Sequence, residues 1–522
     1  MNKIFTRREM LRNAGKAVVL SALAPHFSFA KENKISSTTF GAVASEPASV
    51  EIGQKILNDG GNAVDAVVGA ALAAGITMPS KCGIGSYGGT MMIALANGKV
   101  TCIDCNSMAP AAARPDMYPL DAKGNVVGRV NFHGWQAVGI PGTLAGLQIA
   151  IDRYGTKSLR ELLQPSIALA KNPPRLDKFV NFPALAKTLS TLADRNSVES
   201  FYRGDIAQEI ADTFKKNNGQ VTAKDLATYQ AREVAPYQIE WKGYTTYTAP
   251  LGATGLLILE ALAILKALNW DKLPASPAAT HARLEAVRLA WKDRAEFFGD
   301  PEFVKVPVQR LLSIDYANEL AEKIQVTVKA KKALSLQLER IDQVGTLNIS
   351  AVDWQGNMAV LTFTQGNSYG AQVSVYSLGM VLGHGMARFD PSPGHPNSIA
   401  PGKRPVHNMA PSVIVRDGRP ILAVGAAGGT KIPNALFDFF SYYVGRSSSM
   451  ENALEARRMN CFGLPEVSFE RGWPKEELDY LQKAGFKIKE GLGAYVSAVS
   501  FNWTTRQAKG KSRPGNPFQE RN

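Results

Sequence analysis

The amino-acid sequence predicts an α+β protein, with helices and strands layered over one shared core. Three observations predict it. Helical periodicity dominates as far as Val326. Residues 346–522 instead alternate as short strands, joined by Gly- and Asp-containing turns such as Asp417-Gly418. Composition is that of a folded chain: 45% of the 522 residues are hydrophobic and 20% charged, which excludes a disordered or collagen-like protein. No solenoid-like repeat runs through it.

The elements follow in order. Residues 1–30 read as an export leader. Arg7, Arg8 and Arg12 precede an apolar run from Ala17 to Ala24, and the segment ends small-x-small at Ser28-Phe29-Ala30. Arg7-Arg8-Glu9-Met10-Leu11 is similar to a twin-arginine signal, which exports folded proteins. The expected location is periplasmic or secreted. The apolar run is too short for a membrane span, and no later stretch reaches the roughly 20 apolar residues a spanning helix needs.

Gly60-Gly61-Asn62 opens an Ala/Val-rich run to about Ala74, whose small side chains suit a buried helix. Cys82 to Gly89 is a glycine-dense turn into a strand at Thr90–Ala96. No strand precedes that turn in a βαβ unit, so dinucleotide binding is rejected. Cys102 and Cys105 sit in an alternating strand from Lys99. Their side chains then point to opposite faces, and the C-x-x-C reads as structural. A strand from Trp135, a Pro141-Gly142 turn and a helix to about Tyr154 come next. Residues 156–235 are mostly helical, and Tyr244–Pro250 is a strand. Thr254–Ala267, Thr280–Phe298 and Asp315–Val326 are helices, the last with Ser313 as its cap. The charged stretch 320–340 reads as an exposed, mobile segment. Leu347–Val352 and Met358–Thr364 are strands around the turn 353–357. Further strands fit Gln372–Tyr376, Ser412–Val415 and Ile421–Val424, and helices return at Asn434–Tyr443 and Met450–Arg457.

Charge and motifs narrow the chemistry. Lys+Arg number 59 against 45 Asp+Glu, a formal +14. The basic residues neither cluster on one helix nor interleave with aromatics, so nucleic acid is not an expected partner. Four cysteines exclude a disulfide scaffold. The six histidines form no H-E-x-x-H pair, and there is no G-x-S-x-G elbow or Walker A loop. What remains is Gly345-Thr346 at the start of a strand and Gly428-Gly429 after another. A threonine hydroxyl needs a base, and cutting the chain just before it frees its own α-amine for that task. A glycine pair lets backbone N–H groups approach a developing oxyanion with no Cβ in the way. Neither signal carries weight alone.

Together, and in this order, they closely resemble the gamma-glutamyltransferase (glutathione hydrolase) family of N-terminal-nucleophile hydrolases. The other markers are Gly60 to Ala66, Gly83-Ile84-Gly85, Met108 to Ala112, Val138 to Thr143, Asp293-Arg294 with Gly299-Asp300-Pro301, Pro401 to Pro405, and Gly425 to Ile432. The likeness covers about 40 to 505. It implies a four-layer αββα sandwich and a precursor that cuts itself between Gly345 and Thr346. The segments 31–345 and 346–522 would then be the large and small fragments of one fold, a heterodimer of the chain with itself. Thr346 would be the nucleophile and its new α-amine the base. Gly428 and Gly429 would supply oxyanion N–H groups, and Thr364 would hydrogen-bond the nucleophile. The partner would be a small-molecule amide. No metal and no organic cofactor is implied.

The resemblance also implies where this chain departs. The family's small fragment starts Thr-Thr-His, whereas this one reads Thr346-Leu347-Asn348. The arginine that pairs with the glutamate α-carboxylate falls at Asn106. The asparagine after the second strand falls at Gly366. The aspartate that holds the substrate's α-ammonium falls at Arg388, and a serine pair falls at His407-Asn408. An arginine facing an α-ammonium repels it. Arg388, His407 and Asn408 would instead suit a carboxylate or polar acyl group lacking an α-amine. A surface Arg388 paired with Asp390, and a satisfied loop histidine at 407, remain open at this level. The leading expectation is a self-processing amidohydrolase or acyltransferase whose acyl preference is not standard γ-glutamyl. The alternatives are a true γ-glutamyltransferase with a rearranged pocket, and an inactive relative acting as a periplasmic binding protein.

Overall fold

A computed structural model describes residues 40–250, 252–336 and 346–514. The leader at 1–30 and Gly345 lie outside the described residues.

β1 (Gly41–Ala44), β2 (Gly88–Ala94), β3 (Val100–Asp104), β4 (Arg232–Val234), β5 (Tyr237–Trp241), β6 (Tyr244–Thr248), β7 (Leu347–Asp353) and β8 (Met358–Thr364) precede a short pair, β9 (Ser374–Val375) and β10 (Met380–Val381). Then come β11 (Ser412–Arg416), β12 (Arg419–Ala427), β13 (Met459–Asn460), β14 (Glu466–Phe469), β15 (Lys487–Glu490), β16 (Tyr495–Asn502) and β17 (Gln507–Arg513). Two six-stranded antiparallel sheets result, ordered β1-β7-β8-β2-β3-β4 and β17-β16-β12-β11-β6-β5.

Strand alternation sorts the core into layers. Leu347, Ile349 and Ala351 of β7 pack with the helices Ala63–Thr77, Thr143–Tyr154 and Leu159–Lys171. Val352 of β7 and Val360 of β8 meet Ala423 of β12 and Val499 of β16 between the sheets. Leu422, Val424 and Ala426 of β12 pack on the other side against the helices Gly255–Ala267, Pro277–Phe297 and Lys431–Phe440. The order is helices, sheet, sheet, helices: a four-layer αββα sandwich. β2, β7 and β8 are buried along their whole length because both faces are covered.

One helix shows how local chemistry fixes the frame. From Ala63 to Ile76 every residue of Ala63–Thr77 is buried. Asn62 and Asp65 form a reciprocal capping box at its start. The Asp65 carboxylate also accepts the N–H groups of Thr156 and Lys157 and the Thr156 hydroxyl at 2.6 Å. Asp65→Ala would remove the buried acceptor that these part-buried donors share. It is expected to cost about 3 kcal/mol, read as a lower denaturation midpoint.

Four expectations need correction. The stretch after Trp135 is not a strand but a single 3-10 turn, Trp135–Ala137, with only Ile140 bridging to Met108. Gln372–Tyr376 shrinks to β9, because Gln372 takes a positive φ of 57° and Tyr376 begins a tight turn. The charged stretch 320–340 is helix as far as Ala330, where Ile314–Ala330 buries Leu320, Ala321 and Ile324 and turns its charges outward, and its last residues, 337–340, lie outside the described residues. The helix placed at 434–443 starts earlier, at Lys431, and ends in a wider π-turn, Ser441–Gly445.

Candidate active site

In the β7–β8 ladder Leu347 lies opposite Phe363. That register puts Thr346, the residue before β7, opposite Thr364, the last of β8. Alternation gathers Thr346, Asn348 and Ser350 with Thr362 and Thr364 on one face. This face looks across at the second sheet. Ser350 Oγ donates to the Ser497 carbonyl of β16 at 3.2 Å, and the Thr362 hydroxyl donates to Asn348 Oδ1 at 2.8 Å. A Cβ at Gly425 of β12 would lie 2.0 Å from Asn348 Oδ1, so only glycine lets the sheets approach there. Thr346 is buried, and Thr364 Oγ1 accepts the N–H of Gly366 at 2.8 Å.

Three residues past Gly425, β12 gives way to Gly428 and Gly429, with φ of 145° and 64°. Their carbonyls accept the N–H groups of Lys431 and Ile432 and so start the helix Lys431–Phe440. Among the described residues, no backbone carbonyl takes the N–H of either glycine. Two donors at a helix start suit a developing negative charge.

The residues expected at the acyl end come together. Asn106 Nδ2 donates to the Pro405 carbonyl at 2.7 Å, and its own carbonyl accepts Arg404 Nη1 and the Tyr229 hydroxyl, each at 2.8 Å. The Asp104 carboxyl would be raised by burial, but Arg404 and Arg232 outweigh that and hold it low. Two residues beyond Pro405, His407 Nδ1 accepts the Met409 N–H, and Asn408 Oδ1 accepts Arg294 Nη2 at 3.1 Å. Asn397 ties this loop to the next: its Nδ2 donates to the Arg388 carbonyl at 2.7 Å, and its Oδ1 accepts the Val406 N–H at 2.8 Å. Arg388 ends the short turn Gly385–Arg388 and is only 6% exposed. It does not pair with Asp390, whose carboxylate lies 3.8 Å from His395.

Sequence reading missed three members of this cluster. Arg388 Nη2 lies 3.4 Å from His384 Nδ1, and its guanidinium sits 5.8 Å over the Tyr87 ring. Arg294, noted only as part of a motif, supplies the second guanidinium. His384 also explains Gly366. At φ 100° a Cβ there would lie 2.3 Å from His384 Nε2. Gly366→Asn is expected to destabilise the fold by about 2 kcal/mol or more, and adding His384→Gly should recover part of the loss in a double-mutant cycle.

Both histidines are held neutral. Burial lowers His407 to about 4, with Arg294 and Arg388 adding to the effect against Asp104. Burial and then Arg388 push His384 well below the ordinary range. An unfolded histidine titrates near about 6.5. Below that pH the unfolded chain takes up protons that the fold refuses. Stability should therefore fall as pH drops from about 6.5 toward 4, measured as denaturation midpoints across that range.

The chain as a whole has known relatives. A family model described as gamma-glutamyltranspeptidase matches residues 49–173 and 170–516. The chain belongs to the gamma-glutamyltranspeptidase family. It is 32% identical over 513 residues to a glutathione hydrolase proenzyme of Escherichia coli (strain K12), covering 88% of each chain. It is 30% identical over 517 residues to an acylase ACY 1 proenzyme of Pseudomonas sp. (strain SE83), covering 91% of this chain and 92% of the relative. The cephalosporin acylase of Bacillus halodurans superposes with a TM-score of 0.82 over 95% of this chain and 98% of that one, at 24% identity, which establishes the common fold. Membership makes the chain an N-terminal-nucleophile hydrolase, an enzyme of the amidohydrolase and acyltransferase class. Cys102 and Cys105, as expected of a strand pair, enter different core layers and carry no bridge. No described helix is long and apolar enough to cross a membrane.

Proposed function

We propose that the chain is an exported precursor that cuts itself between Gly345 and Thr346 and then cleaves a small amide whose acyl part is not γ-glutamyl. The observation that carries the acyl reading is Arg388, buried beside His384 and Tyr87 where the resemblance expects an acid. Segments 31–345 and 346–522 become two fragments of one fold. The free α-amine of Thr346 takes the proton from its own hydroxyl as Oγ attacks the amide carbonyl. The N–H groups of Gly428 and Gly429 bind the oxyanion. The C–N bond then breaks, the amine leaves with the proton, and the acyl group stays on Thr346 as an ester. Water hydrolyses that ester to the free acid, or a second amine takes the acyl group. Thr364, opposite Thr346 in the ladder, orients the nucleophile. Asn106, His407 and Asn408 line the acyl side. The relatives named as proenzymes support the cut, and the acylase relatives support an acyl group other than γ-glutamyl. The basic leader supports export to the periplasm or beyond.

The test is a panel of anilides offered to the purified, processed protein, following released aniline. Anilides with an acyl carboxylate and no α-ammonium should be cleaved with higher kcat/KM than the γ-glutamyl anilide. Faster turnover of the γ-glutamyl anilide would return the protein to ordinary γ-glutamyl transfer.

A further inference from the structure

We propose that a large cleft with Arg283 at its floor is a second binding site, and that it takes a monocarboxylate carried on a flat, apolar body. The cleft shares no residue with the candidate active site, so the inference stands apart from the Thr346 chemistry.

The cleft holds about 1380 Å³ and lies between the segment 270–283 and the chain from 442 onward. That is room for a small organic molecule, whose sites typically enclose about 300–1,000 Å³. Trp270, Leu273, Tyr442, Trp473 and Leu492 give it apolar walls. Arg283 comes from the helix Pro277–Phe297 and is only 1% exposed. Three rings surround its guanidinium, Tyr442 at 5.0 Å, Trp270 at 5.7 Å and Trp473 at 5.8 Å. None of its three side-chain nitrogens meets a partner at hydrogen-bond geometry among the described residues. Asp438 approaches it from behind, at 3.7 Å, and does not line the cleft. Burial raises the Asp438 carboxyl to about 6 against the pull of Arg283, so the two compensate each other poorly.

The acids that do line the cleft are already engaged. Glu470 meets Arg513 at 2.7 Å, Glu490 meets Arg471 at 3.2 Å, and Glu455 meets Lys511 at 2.9 Å. Glu477 accepts the Thr280 hydroxyl at 2.6 Å and the Trp473 indole N–H at 3.1 Å. Arg446, 4.1 Å over the Trp270 ring, adds a second cation with no ion pair among the described residues. What the cleft lacks is an acceptor. A buried guanidinium with idle donors carries its desolvation cost without the bonds that offset it. A carboxylate is planar and matches the guanidinium fork. A single negative charge suits the site, because Asp438 already stands behind Arg283. The tryptophan and tyrosine rings favour a flat apolar body beside that charge.

Calorimetry on the purified protein tests this with 2-naphthoate as the probe. Uncharged 2-naphthamide and acetate are the controls. The naphthoate should bind about 10-fold or more tighter than either, the first comparison removing the charge and the second the flat body. Arg283→Gln should weaken it by about 10-fold or more. Asp438→Asn removes the acid that competes for Arg283 and should tighten binding, a gain that a merely structural pair would not produce. If Arg283→Gln does not fold, Asp438→Asn and the naphthoate-to-naphthamide ratio decide. No measurable binding of 2-naphthoate, equal binding of naphthoate and naphthamide, or wild-type affinity in a folded Arg283→Gln protein overturns the site. Acetate binding as tightly as naphthoate overturns the flat-bodied ligand.

Discussion

Thr346→Ala is expected to leave the purified protein as one unprocessed chain and to lower amide turnover by on the order of 10⁴-fold or more. Two losses combine. In the proposed mechanism one hydroxyl attacks both the substrate and the Gly345–Thr346 peptide, so the variant would neither mature nor acylate. The fold should survive, because the alanine keeps the backbone that leads into β7 and removes only a hydroxyl and a methyl group. Circular dichroism and the thermal midpoint should stay close to wild type while the gel shows one band. Thr346→Ser retains a nucleophile and should mature, more slowly. A Thr346→Ala protein that still splits in two would place the nucleophile elsewhere.

The second large effect concerns charge. Arg388→Asp changes the acyl end from two positive charges to a net of zero, because the new acid stands within the field of Arg294. An anionic acyl group should lose about 100-fold or more in kcat/KM, within the range expected when a buried charge pair is broken. The γ-glutamyl anilide, whose α-ammonium Arg388 would repel in the proposed reading, should gain. The ratio of the two rates is the sensitive quantity, since a general loss of stability would lower both alike. An unchanged ratio in a folded protein would mean that residue 388 does not face the acyl group.

Much of this architecture is legible in the amino-acid sequence. β7 and β8 alternate cleanly about a turn that Asp353 closes through the N–H groups of Gln355 and Asn357, so local chemistry alone defines the hairpin. The helix from Ala63 is legible in its uniform small residues, while its Asn62–Asp65 capping box is seen only in the fold. The stretch after Trp135 misled because its apolar alternation serves packing against the helical layer and not a ladder. The site divided in the same way. Thr346, Thr364 and the glycine pair stand beside strand ends that periodicity locates. The acyl end does not, because Tyr87, Arg294 and Arg388 come from distant segments and meet only through the fold. Asp390, two residues from Arg388, offered a plausible local partner. Only the burial of Arg388 and the engagement of Asp390 with His395 separate the two readings.

The central claim is that Thr346 becomes a new N-terminus. Intact-mass analysis with N-terminal sequencing of the protein purified from an exporting host tests it most directly. The account predicts two associated fragments, the smaller beginning Thr-Leu-Asn-Ile. A single uncut chain, or a small fragment beginning at any other residue, would contradict it.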